Sequence, residues 1–322
     1  MKIKGEASIM SSNLKQIDLT LIRRLFQEFD ASINIKSFIA HKNSPDGSLL
    51  FTLYESNNQD KYSLKIFPQN DILCRKEMIL SHYLQEIISL PEVYYVNESC
   101  NIIDKPYQIS EHLEGVSLKS FLQNKKELSN DIVSNIAESL ALVHRTAYNE
   151  PGELNVQLEP LALNLPMNEW HLSFLHGLAG KRLGIDLAKR VEDFLHSKSA
   201  DLEEIAESFV LSHGNFTAEN ILILGNKYQA IIGWEGALAM PSLFDIGRFF
   251  REPELFPRKT ARLFAEAYNN VSLNPLNNNW QNHARLMDCL NLIAVLSLEA
   301  IDEEQEMNII EKIKSYICTE GL

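Results

Sequence analysis

The segment Leu211-Ser212-His213-Gly214-Asn215-Phe216-Thr217-Ala218-Glu219-Asn220-Ile221-Leu222 carries a histidine, a polar residue two positions on, and an asparagine five positions further. Phosphoryl transfer uses a set of this kind. It needs a base on the incoming hydroxyl, oxygen ligands for one or two Mg²⁺ ions, a lysine on the phosphates and a carboxylate to hold that lysine. Where the base and a metal ligand share one loop, the spacing reads H-x-D-x-x-x-x-N. His213 and Asn220 fill the outer positions, and the amide oxygen of Asn220 has the chemistry of a metal ligand. The base position holds Asn215. Asparagine is nearly isosteric with aspartate but accepts no proton at neutral pH, and general-base assistance is worth about 10² to 10⁴ in rate.

Two further segments follow in order, Ile231-Ile232-Gly233-Trp234-Glu235-Gly236-Ala237 and Ser242-Leu243-Phe244-Asp245-Ile246-Gly247-Arg248-Phe249. Together the three segments resemble the aminoglycoside phosphotransferase superfamily, which includes choline kinase-like and other small-molecule kinases. Its usual pattern is H-G-D-x-x-x-x-N, a hairpin, I-D-W-E, and then D-P-x-x-D-L-A. The resemblance extends from about residue 35 to 305. It implies an α+β, protein-kinase-like two-lobed fold. Residues 1–113 would form a strand-rich N-lobe, a five-stranded antiparallel sheet plus a helix, and residues 114–322 a helical C-lobe holding the catalytic-loop hairpin. ATP and Mg²⁺ are the cofactors it implies, and a small molecule, cationic in the antibiotic-binding members, is the implied ligand.

Carried over by position, Lys65 would meet the phosphates and Glu77, in the first turn of the next helix, would hold it. The backbone of Ser110, Glu111 and Leu113 would meet adenine, and Asn220 would bind metal. Asp245 matches the aspartate that anchors the catalytic loop, against the plainer reading of a helix cap. His144 matches a position packed beneath that loop, and His144 and His213 read as structural. Three departures stand out. Asn215 replaces the base, and Gly233 replaces the metal-binding aspartate of I-D-W-E. The phosphate-covering loop, near His41 to Ser48, has Gly47 as its single glycine, where a backbone cradle usually needs more. Glu235, two residues past Gly233, would point the same way in an extended chain, and Glu219 precedes Asn220, so both are candidate substitute ligands. Two losses at separate essential positions imply a pseudokinase, a binding or regulatory module with impaired phosphoryl transfer and room for a protein partner. The alternative is an active ATP- and Mg-dependent kinase acting on a hydroxyl of an aminoglycoside- or amino-alcohol-like substrate. A third reading is a structural homologue whose cleft no longer serves nucleotides.

The elements that position these residues follow from periodicity. Ser48 to Glu55 and Tyr62 to Phe67 read as strands, with Ser63 and Lys65 on one face. Arg75 to Ile88 reads as a helix, Glu92 to Val96 and Tyr107 to Glu111 as strands. After Gly115 the pattern turns helical: Ser117 to Leu122, then Asn130 to Thr146, capped by Ser129 or Asn130. One hairpin interrupts the helices, with Ile221 to Leu224, a turn at Gly225-Asn226, and Gln229 to Ile232. Beyond Ser242 the chain reads as helical with breaks at Pro253, Pro257 and Pro275. Asn274 to Asn279 reads as a surface loop, and the apolar run Leu290 to Leu298 as a buried helix. The acidic run Glu299, Asp302, Glu303, Glu304 and Glu306 sits on a late helix, either as a solvated face or as contacts for a cation.

Composition narrows the field. The chain has 322 residues, 45% of them hydrophobic and 23% charged, as expected of a globular protein long enough for two lobes. A net charge of −13 argues against a basic nucleic-acid surface. The cysteines Cys74, Cys100, Cys289 and Cys318 form no C-x-x-C pair, so no zinc or redox motif is signalled and a reducing cytoplasmic compartment is expected. The first residues lack a signal-like apolar stretch, and no run reaches the roughly 18 apolar residues of a membrane span.

Overall fold

Short alternating runs give way to helical spacing along the chain, and the secondary structure follows that change. The computed structural model describes residues 17–41, 47–56, 61–68, 73–124, 127–161, 166, 169–299 and 301–318. The described residues form two compact units. One contains those up to Cys74 with Pro91–Leu113, the other Arg75–Leu90 with those from Glu114 onward.

The first unit begins with helix α1 (Leu19–Gln27), capped by Asp18, whose carboxylate accepts the amide of Leu21 at 2.8 Å. Its sheet contains β1 (Ile35–Ala40), β2 (Leu49–Glu55), β3 (Lys61–Ile66), β4 (Val93–Asn97) and β5 (Tyr107–Glu111). The strand order is β1-β2-β3-β5-β4, and every neighbouring pair is antiparallel. Ile22, Leu25 and Phe26 of α1 pack with Leu53, Leu64, Ile66 and Ile109 of the sheet. The Tyr107 hydroxyl donates to the carbonyl of Leu25 at 2.9 Å, tying sheet to helix at their buried seam.

Helix α2 (Leu73–Leu84) falls almost wholly in the second unit, whereas the resemblance implies a lobe of residues 1–113 that includes it. Its apolar stripe explains this, since Leu80 and Leu84 belong to the same buried cluster as Ile136 and Leu140. The helix also starts two residues earlier than its periodicity suggests, which puts Glu77 in the second turn.

The second unit continues with β6 (Val116–Ser117), α3 (Leu118–Gln123), α4 (Asn130–Val143), β7 (Ala147–Tyr148), β8 (Gly152–Glu153), α5 (Trp170–Leu175), α6 (Leu178–Leu183), α7 (Ile185–Ser197) and α8 (Ser199–Ile205). Then come β9 (Phe209–Ser212), β10 (Ile221–Leu224), β11 (Lys227–Ile231), β12 (Leu238–Met240), α9 (Leu243–Phe249), α10 (Arg258–Val271), α11 (Trp280–Leu296) and α12 (Glu303–Cys318). The expectation of a single hairpin among the helices is corrected. The hairpin β10-β11 is joined by β6, and β7, β9, β12 and β8 form a further small sheet. Strands of two to four residues are too short to show a period of two, so only their pairing reveals them. Strand pairing likewise stops α4 at Val143 rather than Thr146, because Ala147 and Tyr148 are drawn into register with Val210 and Phe209. Helix α11 is buried along most of its length, and the apolar run expected there ends with it at Leu296. Among the described residues, no helix is long and apolar enough to cross a membrane.

Candidate active site

The loop from Ser212 to Ile221 joins β9 to β10, and one buried carboxylate sets its shape. Asp245 lies in the first turn of α9 and is fully buried. One oxygen accepts the backbone N–H of His213 at 2.6 Å and Nε2–H of His144 at 3.2 Å, and the other accepts the N–H of Gly214 at 3.0 Å. Three donors on one carboxylate offset much of the cost of burying its charge. The helix N-cap is Ser242, so Asp245 is not a cap. Nδ1 of His144 meets the Tyr268 hydroxyl at 2.8 Å. Because the Asp245 carboxylate accepts at Nε2, Nδ1 is free to accept from the Tyr268 hydroxyl, whose pKa burial pushes up to about 12.

His213 is equally committed. Its Nε2–H donates to the carbonyl of Ile232 at 2.9 Å, and its Nδ1 accepts the N–H of Asn215 at 3.1 Å. The ring packs on Trp234 with centroids 4.5 Å apart. Burial pushes its pKa below the ordinary value, with the charge of Asp245 opposing. With both nitrogens engaged, His213 is a neutral strut of the loop. Gly214 is required at its position. It has φ +79°, and a Cβ there would fall 2.0 Å from the carbonyl oxygen of Gly236.

Asn215 and Asn220 are joined through the carbonyl of Asn215, which accepts Nδ2–H of Asn220 at 2.8 Å. The Asn220 amide lies against Gly233, where a Cβ would be 3.3 Å from Oδ1 and 3.5 Å from Nδ2. A side chain on position 233 would therefore stand against the Asn220 amide. Gly233 sits in the left-handed region, with φ 79° and ψ 55°, which glycine adopts freely and aspartate tolerates.

The two candidate substitutes are placed differently from their expectations. Glu235 lies in a 3-10 turn, Trp234–Gly236, directly after the left-handed Gly233. The chain is not extended there, so the alternation that would align residues 233 and 235 does not apply. Glu219 pairs with Lys119 at 3.1 Å, and the same ammonium holds Glu252 at 3.2 Å. Among the described residues, no three His, Cys, Asp or Glu side chains gather in a metal-binding group.

In the first unit, Lys65 is buried on β3, in register with Leu50 of β2 and Gln108 of β5. Its ammonium lies 4.8 Å from the centroid of the Phe67 ring. Ser63, on the same strand face, has its hydroxyl 3.2 Å from Nδ1 of His112. Ser110 is buried opposite Ser63, and the N–H of Glu111 donates to the carbonyl of Glu92 at 2.8 Å. Leu113 follows β5, and Glu77 is half-buried on α2. Within the loop expected to cover phosphates, residues 42–46 lie outside the described ones, and Gly47 has φ +84°.

The model of the phosphotransferase enzyme family (APH) matches residues 48–286. The chain belongs to that family. Its fold is shared with the aminoglycoside phosphotransferase APH(4)-Ia, at 17% identity and TM-score 0.69, covering 95% of this chain and 100% of that one. The macrolide 2'-phosphotransferase MphH from Brachybacterium faecium is similar at 13% identity and TM-score 0.67, covering 91% and 97%. A thermostable mutant of APH(4)-Ia in ternary complex with AMP-PNP and hygromycin B is similar at 16% identity and TM-score 0.69, covering 94% and 99%. No curated protein matches the chain. At these identities the likeness establishes the fold, a protein-kinase-like α+β architecture with a strand-rich first lobe and a helical second one.

Within this phosphotransferase relative, sequence reasoning missed Tyr268 and Lys119, whose partners are distant in the chain and leave no local pattern. The acidic run is also redistributed. Glu299 and Asp302 precede α12. The Asp302 carboxylate caps the amide of Gln305 at 2.8 Å, Glu303, Glu304 and Glu306 lie in the first turn, and Glu306 pairs with Arg182 at 3.0 Å. Carboxylates at a helix N-terminus complement its dipole, which accounts for the cluster without a ligand.

Proposed function

We propose that this chain is a small-molecule-binding member of the phosphotransferase family in which phosphoryl transfer is lost or slowed by orders of magnitude, so that it serves as a binding or regulatory module. The observation that carries this reading is the pairing of a fully bonded catalytic-loop anchor with two chemically silent positions, Asn215 and Gly233. Asn215 can orient a substrate hydroxyl by hydrogen bonding but cannot take its proton. Gly233 has no side-chain oxygen, so the adjacent Asn220 offers one neutral ligand where a hard cation prefers several, some of them anionic. The residues present therefore do not fit a tightly held Mg²⁺.

Nucleotide is a separate matter. Lys65 would meet phosphate oxygens, with Glu77 as the acidic residue of the next helix in the chain. With the N–H of Glu111 already bonded and Ser110 paired in the sheet on both sides, contact to adenine would fall to the backbone beyond Glu111, as far as Leu113. The intact anchor is the one observation that favours the second reading, a working kinase on a hydroxylated amine. Steady-state ATP turnover with Mg²⁺, against aminoglycosides and amino alcohols, separates the two. Turnover indistinguishable from background is expected, and rates near the roughly 1 to 100 s⁻¹ of kinases would overturn the proposal.

A further inference from the structure

The second unit contains a cavity of about 470 Å³, within the size range of sites for drug-sized molecules. Its walls come from α5, β12, α9 and α11 and are built mainly from Trp170, Phe174, Met240, Met287, Leu290 and Val295. Leu238, also in the wall, reaches the catalytic loop: a Cβ on Gly214 would fall 2.8 Å from its Cδ2. The cavity and the loop of Asn215 thus share a side chain.

The charges of this cavity are informative. Among its described lining residues, Glu153 is the carboxylate, and it is exposed. Two buried polar residues stand in the wall, His171 and Asn291, and Asn291 is only 5% exposed. Its orientation is fixed from behind. Oδ1 accepts Nη1–H of Arg248 at 3.1 Å and Nη2–H of Arg251 at 3.0 Å, and Arg251 is itself held by the fully buried Asp288. Both partners are obligate donors, so the oxygen faces the arginines and the NH₂ faces the other way. Among the described residues that NH₂ group has no hydrogen-bond partner. Asn291 lines the cavity, so this donor opens onto it, and an acceptor on a ligand would meet it there.

We infer that this cavity binds a neutral, largely apolar small molecule through a carbonyl or ether oxygen that accepts from Nδ2–H of Asn291. The inference rests on reading the chain as a small-molecule-binding phosphotransferase relative and names the class of its ligand. It replaces the cation suggested by the resemblance. Several ammonium groups would have to shed water against largely apolar walls, with the Asn291 amide presenting a donor to them. A neutral molecule meets no such cost, and the apolar walls supply its affinity.

The probe for the test is Prodan, a neutral naphthalene with one ketone acceptor whose emission moves to the blue when it leaves water. It is titrated into the full chain without nucleotide, so the outcome is independent of phosphoryl transfer. Saturable, blue-shifted binding that hygromycin B does not displace is expected. Ala294→Trp, which fills the cavity from α11, should abolish it. Asn291→Asp keeps an acceptor for both arginines while removing the donor, so the fold should persist and affinity should fall roughly tenfold or more. Circular dichroism and the thermal midpoint confirm folding of each variant. Absent Prodan binding, binding untouched by Ala294→Trp, affinity untouched by Asn291→Asp, or displacement by hygromycin B would each overturn the inference. Failure of the impaired-transfer reading would appear instead as ATP turnover, which this titration does not measure.

Discussion

The buried anchor of the loop from Ser212 to Ile221 and the surface that the loop presents are built to opposite standards. At the anchor, His144, Tyr268, Asp245, His213 and Gly214 form one connected set in which both imidazoles are fully committed. At the loop's outer rim, a few residues along the same loop and turn, Asn215 carries an amide and Gly233 carries nothing. The difference follows from what each group does for the folded state. Removing a member of the anchor strands buried donors, which destabilises the protein whether or not it catalyses anything. A half-exposed carboxylate at the rim contributes chemistry and metal binding and little to stability, so it can be replaced without unfolding the loop. A scaffold and its reaction can therefore part company inside one fold.

The largest effect that tests this contrast is at Asp245. Asp245→Ala leaves two buried backbone amides and the His144 N–H without an acceptor and should cost about 3–5 kcal/mol in urea unfolding. Asn215→Ala should cost within about 1 kcal/mol. Similar losses at the two sites would break the comparison. Next come the two glycines, which share φ +79°. Gly214→Ala adds to the left-handed strain a Cβ that would fall 2.0 Å from the Gly236 carbonyl, and should cost about 3 kcal/mol or more. At Gly233 the nearest atom is the Asn220 amide oxygen at 3.3 Å, so Gly233→Ala should cost about 1–2 kcal/mol, mostly backbone strain.

The smallest effect is a pH dependence. Burial lowers the pKa of His213 in the folded chain from its ordinary 6.5. As pH falls below 6.5, the unfolded chain takes up that proton before the folded one, so the stability linked to His213 is complete above 6.5 and declines below it. The decline should approach about 1.4 kcal/mol per pH unit until the folded-state pKa is reached. In His213→Gln, which can still donate to Ile232 and accept from Asn215, unfolding free energies measured between pH 7 and 5 should lose that share of the slope. Identical slopes would show that His213 is not held neutral by its site.

Much of this was legible before any coordinates. The spacing of His213, Asn215 and Asn220 marks the loop, and the strands carrying Lys65 and Ser110 alternate cleanly enough to be read. Helix α1 was missed because Leu-Thr-Leu-Ile-Arg-Arg-Leu-Phe-Gln is short and its stripe of Ile22, Leu25 and Phe26 is completed only against the sheet. Strands such as β7 and β12 have almost no pattern of their own and exist through their partners. The alignment of Glu235 with Gly233 failed because a positive φ at Gly233 is a backbone choice that spacing does not reveal. Asn291 was invisible as a site residue because its meaning depends on Arg248 and Arg251 fixing which end of the amide faces the cavity.

The most direct test of the separation between scaffold and reaction is ATP turnover, with Mg²⁺, by four chains: the unaltered protein, Asn215→Asp, Gly233→Asp and the double variant. Base and metal act as a unit, so each single variant should stay near background while the double variant gains roughly 10² or more over either. The positions suit the restoration, since a carboxylate on residue 233 would stand beside the Asn220 amide in a backbone conformation that aspartate tolerates. Turnover by the unaltered chain as fast as that of the double variant would contradict the claim that these two substitutions silence an otherwise intact catalytic loop.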